Sequence, residues 1–242
     1  MTRHLLVIAI TVALQAGCGV SQAPLTCVIG QGGWFAKYSL KPNQTVTGAC
    51  AQKVGEGLGV RKYFPAGQKP MVDIRTDTLG AMALQTPSDA DSSHSPNSSG
   101  TLTAESPDSS NFCSIANFTK AEQNIPASAG GPGDIVYEWS NARFLTQANV
   151  PGTQMMASLK YTEGACTAEY KVVAMQPFKD CTKMDAQGSA VLDAQGNPVA
   201  DDSACRGSLS GVNPDFNVKC DPTLVKCTLV NDPPSLNATT VY

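Results

Sequence analysis

The clearest periodic stretch of the chain is 155–173. Met155, Ala157, Leu159 and Tyr161 alternate with Ser158, Lys160 and Thr162; beyond Glu163 and Gly164, Cys166, Ala168, Tyr170 and Val172 alternate with Thr167, Glu169 and Lys171. Period two in adjacent runs predicts a β-hairpin with one buried face. Pairing Thr162 with Ala165 gathers the apolar set on one side and makes Lys160 and Glu169 diagonal neighbours of opposite sign. Residues 34–41 repeat the pattern, with Trp34, Ala36, Tyr38 and Leu40 opposite Lys37, Ser39 and Lys41. Residues 135–139 alternate likewise, and Phe144 extends that strand. Segments 60–64 and 72–75 are shorter strand candidates, while 79–84 fits strand or helix. The glycine-rich segments 30–33 and 55–59 read as turns. Ile115, Phe118 and Ile125 would share one face of a short helix. Near the C-terminus, Phe216, Val218 and Cys220 oppose Cys227, Leu229 and Asn231, so a Cys220–Cys227 disulfide is expected if the Cα atoms approach to about 5.5 Å. No long 3.6-residue period is present. The expected fold is all-β: a disulfide-braced, antiparallel, β-sandwich-like domain with long surface loops.

Two stretches interrupt the alternation. Residues 86–111 are almost all Ser, Asp, Thr, Pro and Asn, with Leu102 as the large aliphatic residue. Such a composition buries too little to offset ordering and reads as a mobile loop. Residues 185–202 repeat DAQG at 185–188 and 193–196, and suggest a surface hairpin between Cys181 and Cys205.

The N-terminus carries a different signal. Arg3 and His4 precede the apolar run 5–14, and Gln15, Ala16 and Gly17 follow it before Cys18. A basic start, a short apolar run and small residues mark an export signal; a membrane-spanning helix would need about 20 apolar residues. The segment resembles a bacterial lipoprotein signal, although Gln15 stands where such signals carry an aliphatic residue. That resemblance implies cleavage before Cys18 and acylation of it. Gly19 then implies outer-membrane sorting, since similar proteins retained at the inner membrane carry Asp there. An ordinary secretory signal cut near Ala16 or Ala23 is the alternative. Cysteine parity favours lipidation. The chain has nine cysteines, and an odd one in an exported protein needs a role. Acylating Cys18 leaves Cys27, Cys50, Cys113, Cys166, Cys181, Cys205, Cys220 and Cys227 to pair in an oxidising compartment. The organisation expected is a signal peptide over 1–17, a tether over 18–26 and one β-rich domain over 27–242 with the low-complexity loop 86–111.

Composition narrows the chemistry. Charged residues are 15% of the chain and the net charge is −3; no basic cluster follows a phosphate backbone, which argues against nucleic acid. Of the two histidines, His4 lies in the signal and His94 in the low-complexity stretch. A Ser–His or Cys–His pair therefore lacks a well-placed base. GxSxG and SxxK are missing, since GSLSG at 207–211 has Leu209 where the nucleophile belongs. Cysteine-only zinc does not suit an oxidising compartment. No catalytic residue, metal or cofactor is expected. Three features could still carry function. Glu138 lies between Tyr137 and Trp139, where an apolar neighbourhood would raise a carboxyl's pKa; the alternative is a solvent-facing residue paired with a lysine or Arg143. Asp185, Asp193, Asp201 and Asp202 offer oxygens for calcium but lack the alternate spacing and closing Glu of a calcium loop. Trp34, Tyr38 and Trp139 could stack on sugar, or fill a core.

The segments YEWSNARF (137–144), PGTQ (151–154), YTEGACTAEYKVV (161–173) and NPDFNVKCDP (213–222) resemble lipoproteins of myxobacterial type. The resemblance contains no catalytic motif. The reading is an exported lipoprotein held by a lipid anchor at the outer membrane of the cell envelope, facing periplasm or exterior. Its role is then structural or binding, toward an unidentified protein or glycan. The alternative is a secreted hydrolase that uses a carboxylate pair, for instance on polysaccharide.

Overall fold

Alternating burial along long antiparallel strands organises the protein. The computed structural model describes residues 25–85, 94–125, 133–207 and 209–237; the signal segment and Cys18 lie outside them. The strands are β1 (Gly32–Leu40), β2 (Gly55–Tyr63), β3 (Met71–Thr76), β4 (Asn97–Thr101), β5 (Phe112–Asn117), β6 (Ala121–Ile125), β7 (Gly133–Gln147), β8 (Val150–Glu163), β9 (Cys166–Met175), β10 (Val218–Asp221) and β11 (Lys226–Leu229). One α-helix, α1 (Asp77–Gln85), follows β3. The first nine strands form one sheet in the order β4-β3-β2-β1-β9-β8-β7-β5, with β6 also on β7. The ends of this sheet nearly meet. Gly100 bridges Phe118, and Thr103 and Thr119 donate to the carbonyls of Ser114 and Ser99 at 2.9 and 2.8 Å. A Cβ on Gly100 would approach Ile115 to 2.5 Å and the Phe118 ring to 2.8 Å, so the seam closes because that residue is glycine.

The expected all-β, disulfide-braced architecture is observed, with opposite walls of the curled sheet packing face to face. The inward positions fill the interior. Trp34 meets Phe144 edge-on at 5.9 Å, Tyr38 meets Trp139 at 6.2 Å, and Tyr137 meets Tyr161 at 5.1 Å. About eight strands enclose just enough room for side chains, and these aromatics occupy it. The possible sugar platform of Trp34, Tyr38 and Trp139 is therefore core, all three being buried.

A second cluster lies outside the barrel wall. Residues beyond β9 fold back over the outer faces of β1, β8 and β9 and bury Leu145, Val150, Met175 and Phe216 with β10 and β11. Lys37 pairs with Asp221 at 2.5 Å, and the Gln154 amide exchanges two hydrogen bonds with the Ser235 backbone, at 2.8 and 3.0 Å. This cover explains why Phe35 is buried although its neighbour Trp34 faces the opposite way.

Four disulfides join Cys27–Cys113, Cys50–Cys166, Cys181–Cys220 and Cys205–Cys227, with Cα–Cα separations from 5.5 to 5.8 Å. The first two clamp opposite ends of the barrel. The Cys50–Cys166 end also carries α1, and is the helix end. The expected Cys220–Cys227 bond is not formed. Those residues do oppose each other in the β10–β11 register, but each sulfur turns to a partner outside the hairpin, Cys181 and Cys205, which tie the 181–205 segment to it.

Other expectations change as well. The 86–111 loop contains β4 and fully buried Leu102. Ser and Gly form this strand because β3 supplies a backbone ladder on one side and the seam supplies another. Its part over 86–93 lies outside the described residues. Residues 55–59 belong to β2 rather than a turn; Gly55 lies against the Ala36 carbonyl and Gly57 against the Asp77 carboxyl. The helix expected from Ile115, Phe118 and Ile125 is replaced by β5 and β6, with Ile115 in the core. The ambiguous segment 79–84 is helical. In the β8–β9 hairpin Thr162 pairs Thr167, so Lys160 lies directly opposite Glu169. The two-residue turn is Gly164–Ala165, with Gly164 at a φ of 57°, which suits the first turn position. A register shift of two preserves both faces, so the facial pattern alone does not distinguish the two pairings.

Candidate functional site

The helix end holds the most concentrated polar chemistry in the barrel. Glu56 points inward from β2, in line with Leu58 and Val60, and its side chain is only 8% exposed. Lys53, after the 3-10 turn Ala49–Gln52, places Nζ 3.1 Å from Glu56 Oε1. The same oxygen accepts from the Tyr137 hydroxyl at 2.7 Å and the Tyr38 hydroxyl at 3.1 Å. Oε2 accepts from the Thr78 backbone N–H at 3.0 Å. Thr78 lies in the first turn of α1, where the helix dipole favours a carboxylate. Lys53 also donates to Thr78 Oγ1 at 3.0 Å and lies 5.5 and 5.0 Å from the Tyr137 and Tyr161 ring centroids.

Electrostatics fixes the protonation pattern. Burial, then the Glu56 charge, pushes the Tyr38 and Tyr137 phenols above their usual range. Burial and a hydrogen bond to Glu163 do the same to Tyr161. These hydroxyls stay protonated and donate. A carboxylate offers about four lone-pair positions, and Glu56 has four donors around it. Three donors converge on Oε1 and one on Oε2, so both oxygens are engaged within the protein. The cluster joins α1, β1, β2 and β7 through one buried ion pair and acts as a clamp.

The residues singled out by sequence fall elsewhere. Glu138 is on the outer face of β7, ion-paired with Lys160 at 2.7 Å. Its hydrogen bond and charge hold the Lys160 ammonium above its ordinary pKa. Lys41–Glu169 at 3.1 Å continues an alternating row across the strands. A shallow groove of about 450 Å³ there is lined by Lys41, Lys120, Lys160, Glu138 and Glu169, so its carboxylates are neutralised rather than poised as acid and base. A larger cleft of about 740 Å³ between barrel and C-terminal cover is lined by Pro151, Thr153, Gln176, Pro177, Val212 and Pro214 among others, with no titratable side chain.

The aspartates of 185–202 face donors. Asp185 accepts from the Gln187 and Ser189 N–H groups, and Asp193 from Gln195 and Asn197, at 2.8–2.9 Å. Asp201 caps the 3-10 turn Asp202–Cys205, and Asp202 pairs with Arg206 at 2.7 Å. Backbone N–H groups, led by that of Asn197, lower the Asp193 carboxyl. Oxygens so occupied close turns, whereas a calcium loop turns them toward a common ion. The DAQG repeats fold as successive turns with bridges 182–200, 184–190 and 192–198. The sulfurs of Cys181, Cys205 and Cys227 lie within 4.8 Å of one another, but in cystines they carry no thiolate charge for a metal. Sequence reading missed Lys53 and Glu56 because the glycines around Glu56 imitate a turn. The usable signal was the alternation of Glu56, Leu58 and Val60.

Fold and site together define a class: a cystine-braced β-barrel with a filled interior and a buried structural ion pair. A family model described as MlpA matches residues 32–177, from the start of β1 to just past β9. The chain is also 30% identical over 220 residues to "Putative lipoprotein MlpA" of Myxococcus xanthus, a match covering 87% of this chain and 85% of the relative. The chain belongs to the MlpA family and is a lipoprotein of myxobacterial type. No solved structure matches it. Among the described residues no helix is long and apolar enough to cross a membrane.

Proposed function

We propose that the chain is cleaved after residue 17, acylated on Cys18 and held at the outer membrane by the tether 18–26. Its folded body then serves a structural or binding role without catalysis. The observation that carries this reading is the closure of eight cysteines upon one another in four disulfides, which leaves Cys18 no partner among them. The relative's printed description supports the same anchor. The filled barrel, the engaged Glu56 and the neutralised carboxylates on the outer face support a role through surfaces rather than an active cleft.

Intact mass of membrane-extracted protein, with and without reductant, tests the reading. A chain starting at Cys18 and carrying acyl mass, gaining two hydrogens per cystine on reduction, is expected. Cys18→Ser should move the protein from the detergent phase to the aqueous phase. A wild-type protein without acyl mass overturns the proposal.

A further inference from the structure

The end of the barrel opposite α1 brings three exposed apolar side chains to the place where the chain emerges. Leu25 and Val28 flank Cys27 and are both exposed, and Phe64, on the turn after β2, is 71% exposed. These segments are joined through Lys62. Its ammonium donates to the Cys27 carbonyl and lies 4.7 Å from the Phe64 ring centroid. Lys69, on the same β2–β3 turn, donates to the Thr103 carbonyl at 2.9 Å. Burial lowers the Lys62 ammonium below its ordinary pKa, and the Glu105 carboxylate opposes that shift. Bare apolar residues beside lysines, with lysine stems available to lie along apolar surface, suit the boundary between headgroups and acyl chains.

The length of chain outside the structure identifies the occupant. Leu25 lies only seven positions after Cys18, and those seven steps fully extended reach at most about 25 Å. An acyl anchor on Cys18 therefore keeps this end near the bilayer, while the helix end lies a strand length beyond. We propose that the Cys27 end of the barrel docks on the phospholipid surface, with Phe64 seated at the headgroup boundary and Lys62 and Lys69 facing lipid phosphates. The inference rests on Cys18 being the acylated residue.

The test uses the full acylated protein reconstituted in phosphatidylethanolamine–phosphatidylglycerol vesicles. Some of the lipids are brominated near the carboxyl end of their acyl chains. Phe64→Trp replaces one exposed ring with another, and Leu84→Trp provides the same reporter on α1, where Leu84 is 85% exposed. The native tryptophans, Trp34 and Trp139, are buried and give a common background. Mass analysis of the Cys18 peptide is done on the same sample. The docking inference expects acyl mass on Cys18, blue-shifted emission from Phe64→Trp that brominated lipid quenches, and unquenched emission from Leu84→Trp. Acyl mass with Phe64→Trp quenched no more than Leu84→Trp overturns docking and leaves the lipoprotein reading standing. A Cys18 peptide without acyl mass overturns both.

Discussion

At the scale of single residues, Glu56 shows how a buried charge becomes structural. Lys53 and two phenols meet Glu56 Oε1, and the Thr78 N–H meets Oε2. Glu56→Gln removes the charge but keeps the shape, leaving Lys53 uncompensated and an amide N–H₂ facing donors. Breaking such a buried pair costs about 2–4 kcal/mol, so urea denaturation should show a lower midpoint with little change in slope. The tyrosines around it predict a pH limit. Burial and neighbouring carboxylates raise the folded-state pKa values of Tyr38, Tyr137 and Tyr161, while unfolded phenols ionise near about pH 10. The folded state then holds more protons above that pH. Their contribution to stability is complete below it and falls as pH rises through it. Phenolate absorbance should therefore rise together with loss of tertiary signal; smooth titration of these phenols in folded protein would contradict the geometry. Gly152 is the backbone counterpart. It adopts a φ of 67°, and a Cβ there would overlap the Val28 carbonyl, where the segment preceding β1 crosses β8. Gly152→Ala combines left-handed strain with backbone overlap and should cost at least about 2 kcal/mol, read as a lower melting temperature.

At the scale of elements, legibility followed the number of neighbours that decide a conformation. β1, β7, β8 and β9 were readable because each alternates over many residues, so one buried face specifies the strand. β4 was not, because Ser and Gly carry no facial pattern and their conformation is imposed by β3 and the seam. β2 was half legible: Val60 signalled a strand, while Gly55, Gly57 and Gly59 masked its first half and hid Glu56 with it. The β10–β11 register was readable from its alternation, but the cystine pairing was not. Facing Cα atoms are necessary for a bond, and here Cys181 and Cys205 compete from a segment whose path depends on tertiary packing. Trypsin separates all four cysteines, since Lys183, Arg206, Lys219 and Lys226 lie between or beside them. Non-reducing peptide mapping should recover Cys181 with Cys220 and Cys205 with Cys227; a Cys220–Cys227 product would refute this arrangement. Replacing Cys205 and Cys227 together by Ala opens a loop of sequence separation 22, which corresponds to about 3 kcal/mol in the chain-entropy account.

At the scale of the whole molecule, the two hydrophobic clusters divide the work. The family match covers the barrel, whose interior is closed by aromatics, and the C-terminal cover seals the outer faces of its central strands. One feature of the disulfides bears on resistance to proteolysis. Cys27–Cys113 and Cys50–Cys166 overlap in sequence, and so do Cys181–Cys220 and Cys205–Cys227. A single proteolytic cut anywhere from 28 to 165, or from 182 to 226, therefore leaves the fragments covalently joined. Between Cys27 and Cys227, only the stretch 167–180 is spanned by no cystine. Most of it is β9, hydrogen-bonded to β1 on one side and β8 on the other. Singly nicked protein should run as one band without reductant and as two with it. Fragments that separate without reductant should map to 176–180, the short link between barrel and cover. Covalent and hydrogen-bonded protection are thus complementary along this chain: where one kind of bond lapses, the other guards the backbone against a hydrolase.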